Sequence, residues 1–257
     1  MLVQRRASGL RLFRQHDHAL AAAALAHEWD GGGGEALPLA VVLAVALHDV
    51  AWIPLDTEPR LDPSRGGPHD FMSHPAAEKL EAYARGLDTV ETLLPAAALL
   101  GSLHYGSFVT AGADGGGGEA GRGFLEGERT RRARIRAGGS GGPDLGGLDV
   151  DEGLELLRFF DRMSLLLCLS APGAAPGSLP AWLEPAGRLR APAGRVLRTE
   201  WRGDGRLALA PFPFRRPLSL AIPYRDLPAG PFGGKEALRA AWASSPPGTW
   251  RVVVAPG

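Results

Sequence analysis

The sequence contains a single cysteine, Cys168, in 257 residues. No intrachain disulfide can form, so a disulfide-stapled secreted scaffold is excluded. Cys168 sits in the apolar run LLLCL and reads as inert core rather than as a reactive thiol. A surplus of either charge is missing as well: Lys and Arg number 28, Asp and Glu 28, and the formal net charge is zero. That balance argues against a general nucleic-acid partner and against an anionic-membrane partner. The first residues, MLVQRRASGLRLFRQ, hold no continuous apolar segment and do not read as a signal peptide. The apolar stretch Ala36 to Leu47 is too short to span a bilayer before His48 and Asp49 interrupt it. A cytoplasmic location is the expectation. Also absent are a P-loop, a Gly-rich dinucleotide fingerprint after a strand, a nucleophile elbow and a repeat of fixed period.

What is present centres on Leu37 to Trp52, LPLAVVLAVALHDVAW. Ala, Val and Leu occupy every face, the pattern of a buried helix. An imidazole and a carboxylate in such a helix are costly unless something pairs with them. Metal coordination is one solution, because a cation compensates the carboxylate and accepts a ring nitrogen.

The chain around it reads as mainly α. Leu2 to Arg14 alternates on either side of Ala7-Ser8-Gly9 and predicts a β-hairpin. Asp17 stands where an N-cap belongs, ahead of an Ala-rich helix to about Trp29. The apolar helix runs from about Leu37 to Ile53 and is stopped by Pro54. A long loop, Pro54 to Phe71, carries Asp56, Asp62, His69 and Asp70; loops of this length are often functional. Further helices are expected at about Pro75 to Leu87, Leu94 to Phe108, Phe124 to Ala137 and Val150 to Ser170, with glycine loops at 112–118 and 138–147. Beyond Pro172 the character changes. Strands are expected at Arg195 to Trp201, Leu207 to Ala210, Leu218 to Pro223 and Trp250 to Val254, with a short helix at Lys235 to Ala243. The fold class expected is a helical bundle carrying a small β-sheet, formed by the C-terminal segment and joined by the N-terminal hairpin. It is read as one domain over 1–257, with a helical body at about 15–171 and a β-rich subdomain at about 190–257.

Several apolar helices each carry a polar exception: His48-Asp49, His104 and Asp161, with His18 opening the first helix. Ionisable groups on separate core helices are better explained by one shared site than by several stranded ones. Each also has a local alternative. His48 gains from a helix C-terminus, His18 could be a first-turn residue beside its cap, Asp161 could pair with Arg158 at i−3, and His104 could be a satisfied core histidine. His27 and His69 read as surface residues.

The order His, His-Asp, Asp on successive helices resembles the HD superfamily of metal-dependent phosphohydrolases. The wider set, QHDHA at 15–19, ALHDVAW at 46–52, RLDPSRGGPHDF at 60–71, SLHYG at 102–106 and RFFDRMSLLLCL at 158–169, is similar to a bacterial family, the domain of unknown function 3891 family. The superfamily resemblance implies an HD-like bundle in which His18, His48, Asp49 and Asp161 hold a divalent transition metal. Mixed N/O ligation suits Mn, Fe, Co, Ni or Zn. It further implies hydrolysis of a small phosphorylated substrate, with Asp49 holding the attacking water and His104, or more weakly His74, donating to substrate or holding a second metal. Arg162 and Lys79 could meet phosphate, and the basic run Arg129 to Arg136 reads as a solvated helix face. Two further readings stand beside this one. The first is an HD-type di-iron oxygenase, drawing extra histidines from His74 and His104. The second is a non-catalytic binding module.

Overall fold

In the computed structural model, which describes residues 1–31, 34–112, 118–138, 143–170, 172, 183 and 187–257, the chain opens with the expected hairpin, β1 (Leu2–Arg6) and β2 (Gly9–Phe13). The turn requires glycine. Gly9 has φ +137°, and a Cβ there would stand 2.3 Å from the Leu227 carbonyl oxygen.

Helix α1 (Gln15–His27) follows directly, with Arg14 at the N-cap and no side-chain cap bond. Asp17 is therefore not the cap. It lies inside the first turn, where a carboxylate still meets the positive end of the helix dipole. Helix α2 (Leu39–Leu47) is shorter than the sequence suggests: His48 caps it, Asp49 leaves helical geometry at φ −115° and ψ 21°, and a single 3-10 turn, Val50–Trp52, follows. His48 and Asp49 occupy a corner, not the interior of a continuous helix. Nor is α2 buried on every face. Val41, Ala44 and Val45 enter the core, while Leu39 is 70% and Leu43 38% exposed. A run without polar residues carries no mark of which side faces out.

The long loop contains a two-strand ladder, β3 (Leu61–Asp62) with β4 (Gly67–Pro68). Helices α3 (Ala76–Leu93), α4 (Pro95–Thr110), α5 (Glu119–Ala137) and α6 (Val150–Leu169) complete the helical layer. In α6 a capping box pairs Asp149 with Glu152. Residues 113–117 and 139–142, within the expected glycine loops, and residues 32–33 of the first glycine run lie outside the described residues.

The sheet is larger than expected. Strands β5 (Arg188–Arg190), β6 (Val196–Trp201), β7 (Arg206–Ala210), β8 (Leu218–Leu227) and β9 (Pro247–Pro256), with α7 (Lys235–Ser244) between the last two, join the hairpin. The order is β1-β2-β8-β9-β7-β6-β5. Only β7 and β9 are parallel neighbours; the other pairs in this sheet are antiparallel. The result is a seven-stranded curled half-barrel. With 47% of described residues helical and 22% in strands, the fold is mixed α/β and not mainly α. The expectation fell short for two reasons. The strand expected at Leu218 to Pro223 stops at a proline, which lacks a ladder donor, yet β8 continues through it to Leu227. The short edge strand β5 shows only Arg188-Leu189-Arg190, too little alternation to read.

One face of the sheet packs on α1 and α6. A single apolar cluster joins Leu25, Val45, Leu99, Phe159 and Leu166 of the helices with Leu2, Phe13, Leu207, Leu220 and Val254 of the strands. A second contact fixes the corner after α2. A Cβ on Gly86 of α3 would lie 2.6 Å from the Ala51 Cβ and 2.7 Å from its Cα, so only glycine lets the two backbones meet there. Among the described residues no helix is long and apolar enough to cross a membrane.

Candidate metal centre

Helix α2 touches α1, α4 and α6, and α4 also touches α6. The ionisable groups on these elements converge. Exposure is 0% for His18, 3% for His48, 5% for Asp49, 2% for His104 and 8% for Asp161. His18 Nε2 lies 2.9 Å from Asp49 Oδ2, and His48 Nε2 lies 3.7 Å from the same oxygen. His48 Nε2 is 3.4 Å from Asp161 Oδ1, and His104 Nε2 is 3.6 Å from Asp161 Oδ2. Two triads result, His18-His48-Asp49 and His48-His104-Asp161. Within each, the ligand atoms lie inside 4.8 Å of one another, and His48 belongs to both. Atoms bound at about 2.1 Å to one ion stand about 3.0–3.4 Å apart, close to the spacings found here.

Proton placement shows what these contacts require. The Ser164 hydroxyl donates its one hydrogen to the Asp161 carbonyl at 2.8 Å. It can therefore only accept from His18 Nδ1, also at 2.8 Å. His48 Nδ1 likewise donates to the Val45 carbonyl at 2.6 Å. In both rings Nδ1 carries the hydrogen, and the neutral form points a bare Nε2 at carboxylates. Lone pair then faces lone pair, unless a second proton or a cation intervenes. His48 Nε2 has no hydrogen-bond partner and is buried, as is His104 Nδ1. A ring whose one nitrogen donates to a nearby oxygen, with the other nitrogen aimed at shared carboxylates, is the arrangement that metal-binding histidines use. The donor set fits a divalent ion.

The charges respond to one another. Burial opposes the charged form of His48, but the Asp49 and Asp161 carboxylates outweigh it and hold its pKa up at about 9. Burial would raise Asp161; His48 and His104 overcome that and hold it at about 2. Asp49 is lowered against its own burial by His48 and His18. His104 is pushed down by burial to about 4 and is neutral near pH 7. The Tyr105 hydroxyl donates to Asp49 Oδ1 at 3.4 Å, and burial followed by the Asp49 charge keeps it protonated.

The sequence reasoning missed Ser164, Tyr105 and His16. Ser164 follows Asp161 by one helical turn and Tyr105 adjoins His104, so their spacing was a usable signal. His16 has a buried Nδ1 without a partner; burial lowers its pKa, while the Asp49 charge acts in the opposite sense. Other candidates lie elsewhere. His74 packs against Trp52 and His69 and stands 3.4 Å from Glu78. Lys79 Nζ donates to the Phe71 carbonyl. In the basic run, Arg131 is not solvated: it is buried among Glu128, Glu91 and Asp88, and Arg134 also pairs with Glu91. Asp161 forms no ion pair with Arg158 among the described residues.

A family model described as Protein of unknown function (DUF3891) matches residues 1–229, a span that includes every residue of the centre. No curated protein and no solved structure matches the chain.

Proposed function

The chain belongs to this family of unknown function, and from that premise we propose that it is a metal-dependent phosphohydrolase acting on a small phosphoester or nucleotide. One observation carries the reading: two buried imidazoles, each with Nδ1–H already committed to an oxygen, turn Nε2 towards Asp49 and Asp161 with no matching hydrogen bond at His48. The order of His18, His48-Asp49 and Asp161, which resembles the HD superfamily, supports it.

His18, His48, Asp49 and Asp161 would hold the ion, with Mn, Fe, Co, Ni or Zn suited to the mixed donors. Such an ion, when bound, supplies Lewis acidity towards a phosphoryl oxygen and acidifies a water. The chain's own groups do the remaining work. Ser164 and the Val45 carbonyl fix the two rings in their working tautomer. Tyr105 occupies Asp49 Oδ1, leaving the carboxylate further lone pairs with which to orient a water as general base. His104, uncharged near neutral pH, offers a ring N–H to a substrate oxygen. The apolar walls from α2, α4 and α6 keep bulk water from these groups.

Metal analysis of the purified protein is the test. The expected result is bound transition metal, a drop in Tm on chelation, and ion-dependent hydrolysis of a member of a panel of small phosphoesters and nucleotides. Protein isolated without metal, whose Tm and hydrolysis are unmoved by added Mn, Fe, Co, Ni or Zn, would overturn the reading. The second triad favours one other activity, a di-iron oxygenase, since His104 supplies a histidine that chemistry needs. Dioxygen consumption by iron-loaded protein separates the two.

A further inference from the structure

Beside Asp161 stands a group of arginines that the proposed chemistry has not used. Arg158 lies three residues before Asp161 on α6 and Arg162 directly after it, so Arg158, Asp161 and Arg162 line one side of the helix. Among the described residues the Arg158 side chain makes no hydrogen bond and no ion pair. Its charge nonetheless reaches His104. Arg162 is half-buried. Its Nη2 donates to the Arg190 carbonyl at 3.3 Å, and its buried Nε has no partner. Arg190, on edge strand β5, is exposed, and its side chain is likewise unpaired among the described residues. Burial lowers the Arg162 pKa, Asp161 and Glu155 oppose that, and Arg158 and Arg190 add to it.

Arg158 and Arg162 stand one turn apart on α6 and Arg162 reaches the backbone of Arg190, so three arginines gather beside Asp161, with Asp161 and Glu155 the acidic groups acting on Arg162 among the described residues. If Asp161 serves the metal centre, its charge is already committed. Like charges held together without counter-charge cost stability, and an anion between them reverses the sign. Guanidinium forks match phosphate oxygens in geometry and bind them through paired N–H donors. A phosphate held at the centre would place a neighbouring phosphate against these arginines.

We propose that Arg158, Arg162 and Arg190 form an anion-binding shelf for a second phosphate, so that the substrate class is a diphosphate or bisphosphate rather than a monoester. This rests on the metal-centre reading only in assigning the first phosphate to the centre; the shelf itself is a property of the arginines.

The test is calorimetric binding of inorganic pyrophosphate and of orthophosphate to the protein as purified, at fixed ionic strength, with metal content measured before and after. Wild type is expected to bind pyrophosphate at least about tenfold more tightly than orthophosphate. In Arg158→Ala combined with Arg190→Ala, which removes two side chains unpaired among the described residues and is expected not to lower Tm, the pyrophosphate preference is lost. Orthophosphate affinity stays within about threefold and metal content is unaltered. A pyrophosphate affinity equal in wild type and variant overturns the shelf, whatever the metal content. An arginine-dependent preference in protein that carries no metal, and whose Tm and hydrolysis are unmoved by added Mn, Fe, Co, Ni or Zn, supports the shelf while overturning the metal reading, so the two failures are distinguishable. If either single variant is unstable, Arg158→Gln read against the same two anions serves in its place.

Discussion

Ser164 decides which nitrogen of His18 is free to act. Its hydroxyl hydrogen is committed to the Asp161 carbonyl, so it accepts from Nδ1 and leaves Nε2 facing Asp49. Replacing it tests the centre without touching a ligand. Ser164→Ala is expected to fold and to lose metal affinity by about 10–100-fold, as outer-shell partners generally do, measured by competitive metal titration. His74 makes a separate residue-scale prediction, because it lies away from the centre. Burial lowers its pKa from 6.5 to about 4. The folded state therefore binds fewer protons than the unfolded state between these values, and stability must rise with pH across that window. The contribution is fully present above pH 6.5 and is lost as pH falls towards 4. Urea unfolding of His74→Gln across this range should show a shallower pH dependence than wild type. Parallel curves would mean that His74 titrates normally in the fold.

At the scale of elements, the close meeting of α3 with the turn after Asp49 sets the position of a ligand through backbone alone. Two general effects conflict at Gly86. Alanine is the better helix former by about 1 kcal/mol. A Cβ there, however, would lie 2.6 Å from the Ala51 Cβ, and overpacking of this kind typically costs about 1–3 kcal/mol. The contact is to backbone as well as to side chain, so the turn itself must shift. Gly86→Ala is therefore expected to lower Tm and weaken metal binding together, since Ala51 is two residues from Asp49. A rise in Tm with metal content intact would show that the turn yields freely. The same corner was not legible beforehand. In LPLAVVLAVALHDVAW nothing before Pro54 announces a helix stop, yet α2 ends at Leu47 and the turn that follows packs on α3.

For the whole molecule, the ordering of strands carries the strongest consequence. Strand β9 lies between β8 and β7, pairing antiparallel with one and parallel with the other. The family match ends at residue 229, and β9 begins at Pro247. A chain cut after residue 229 keeps every ligand of the centre but loses the strand that joins the two parts of the sheet. Val252 and Val254, both in the main apolar cluster, would go with it. Such a truncation is expected to lose cooperative thermal unfolding, read by circular dichroism, and with it the ordered centre that rests on the sheet through α1 and α6. A cooperative melt near that of the full chain would show that the helical layer is stable by itself.

Local chemistry was determined by the sequence alone. The existence of α1 to α7, the hairpin about Gly9 and the set His18, His48, Asp49, His104 and Asp161 follow from periodicity and from polar groups placed in apolar runs, both of which are local signals. What only the tertiary structure decided was relational: which imidazole faces which carboxylate, that His48 is shared between two triads, and that His74 and Lys79 stand apart. The breadth of the sheet belongs to the same category. Strands such as β7 and β9 become neighbours across an intervening strand and helix, and the burial that rewards this pairing is shared among residues too far apart in the chain to leave a local pattern.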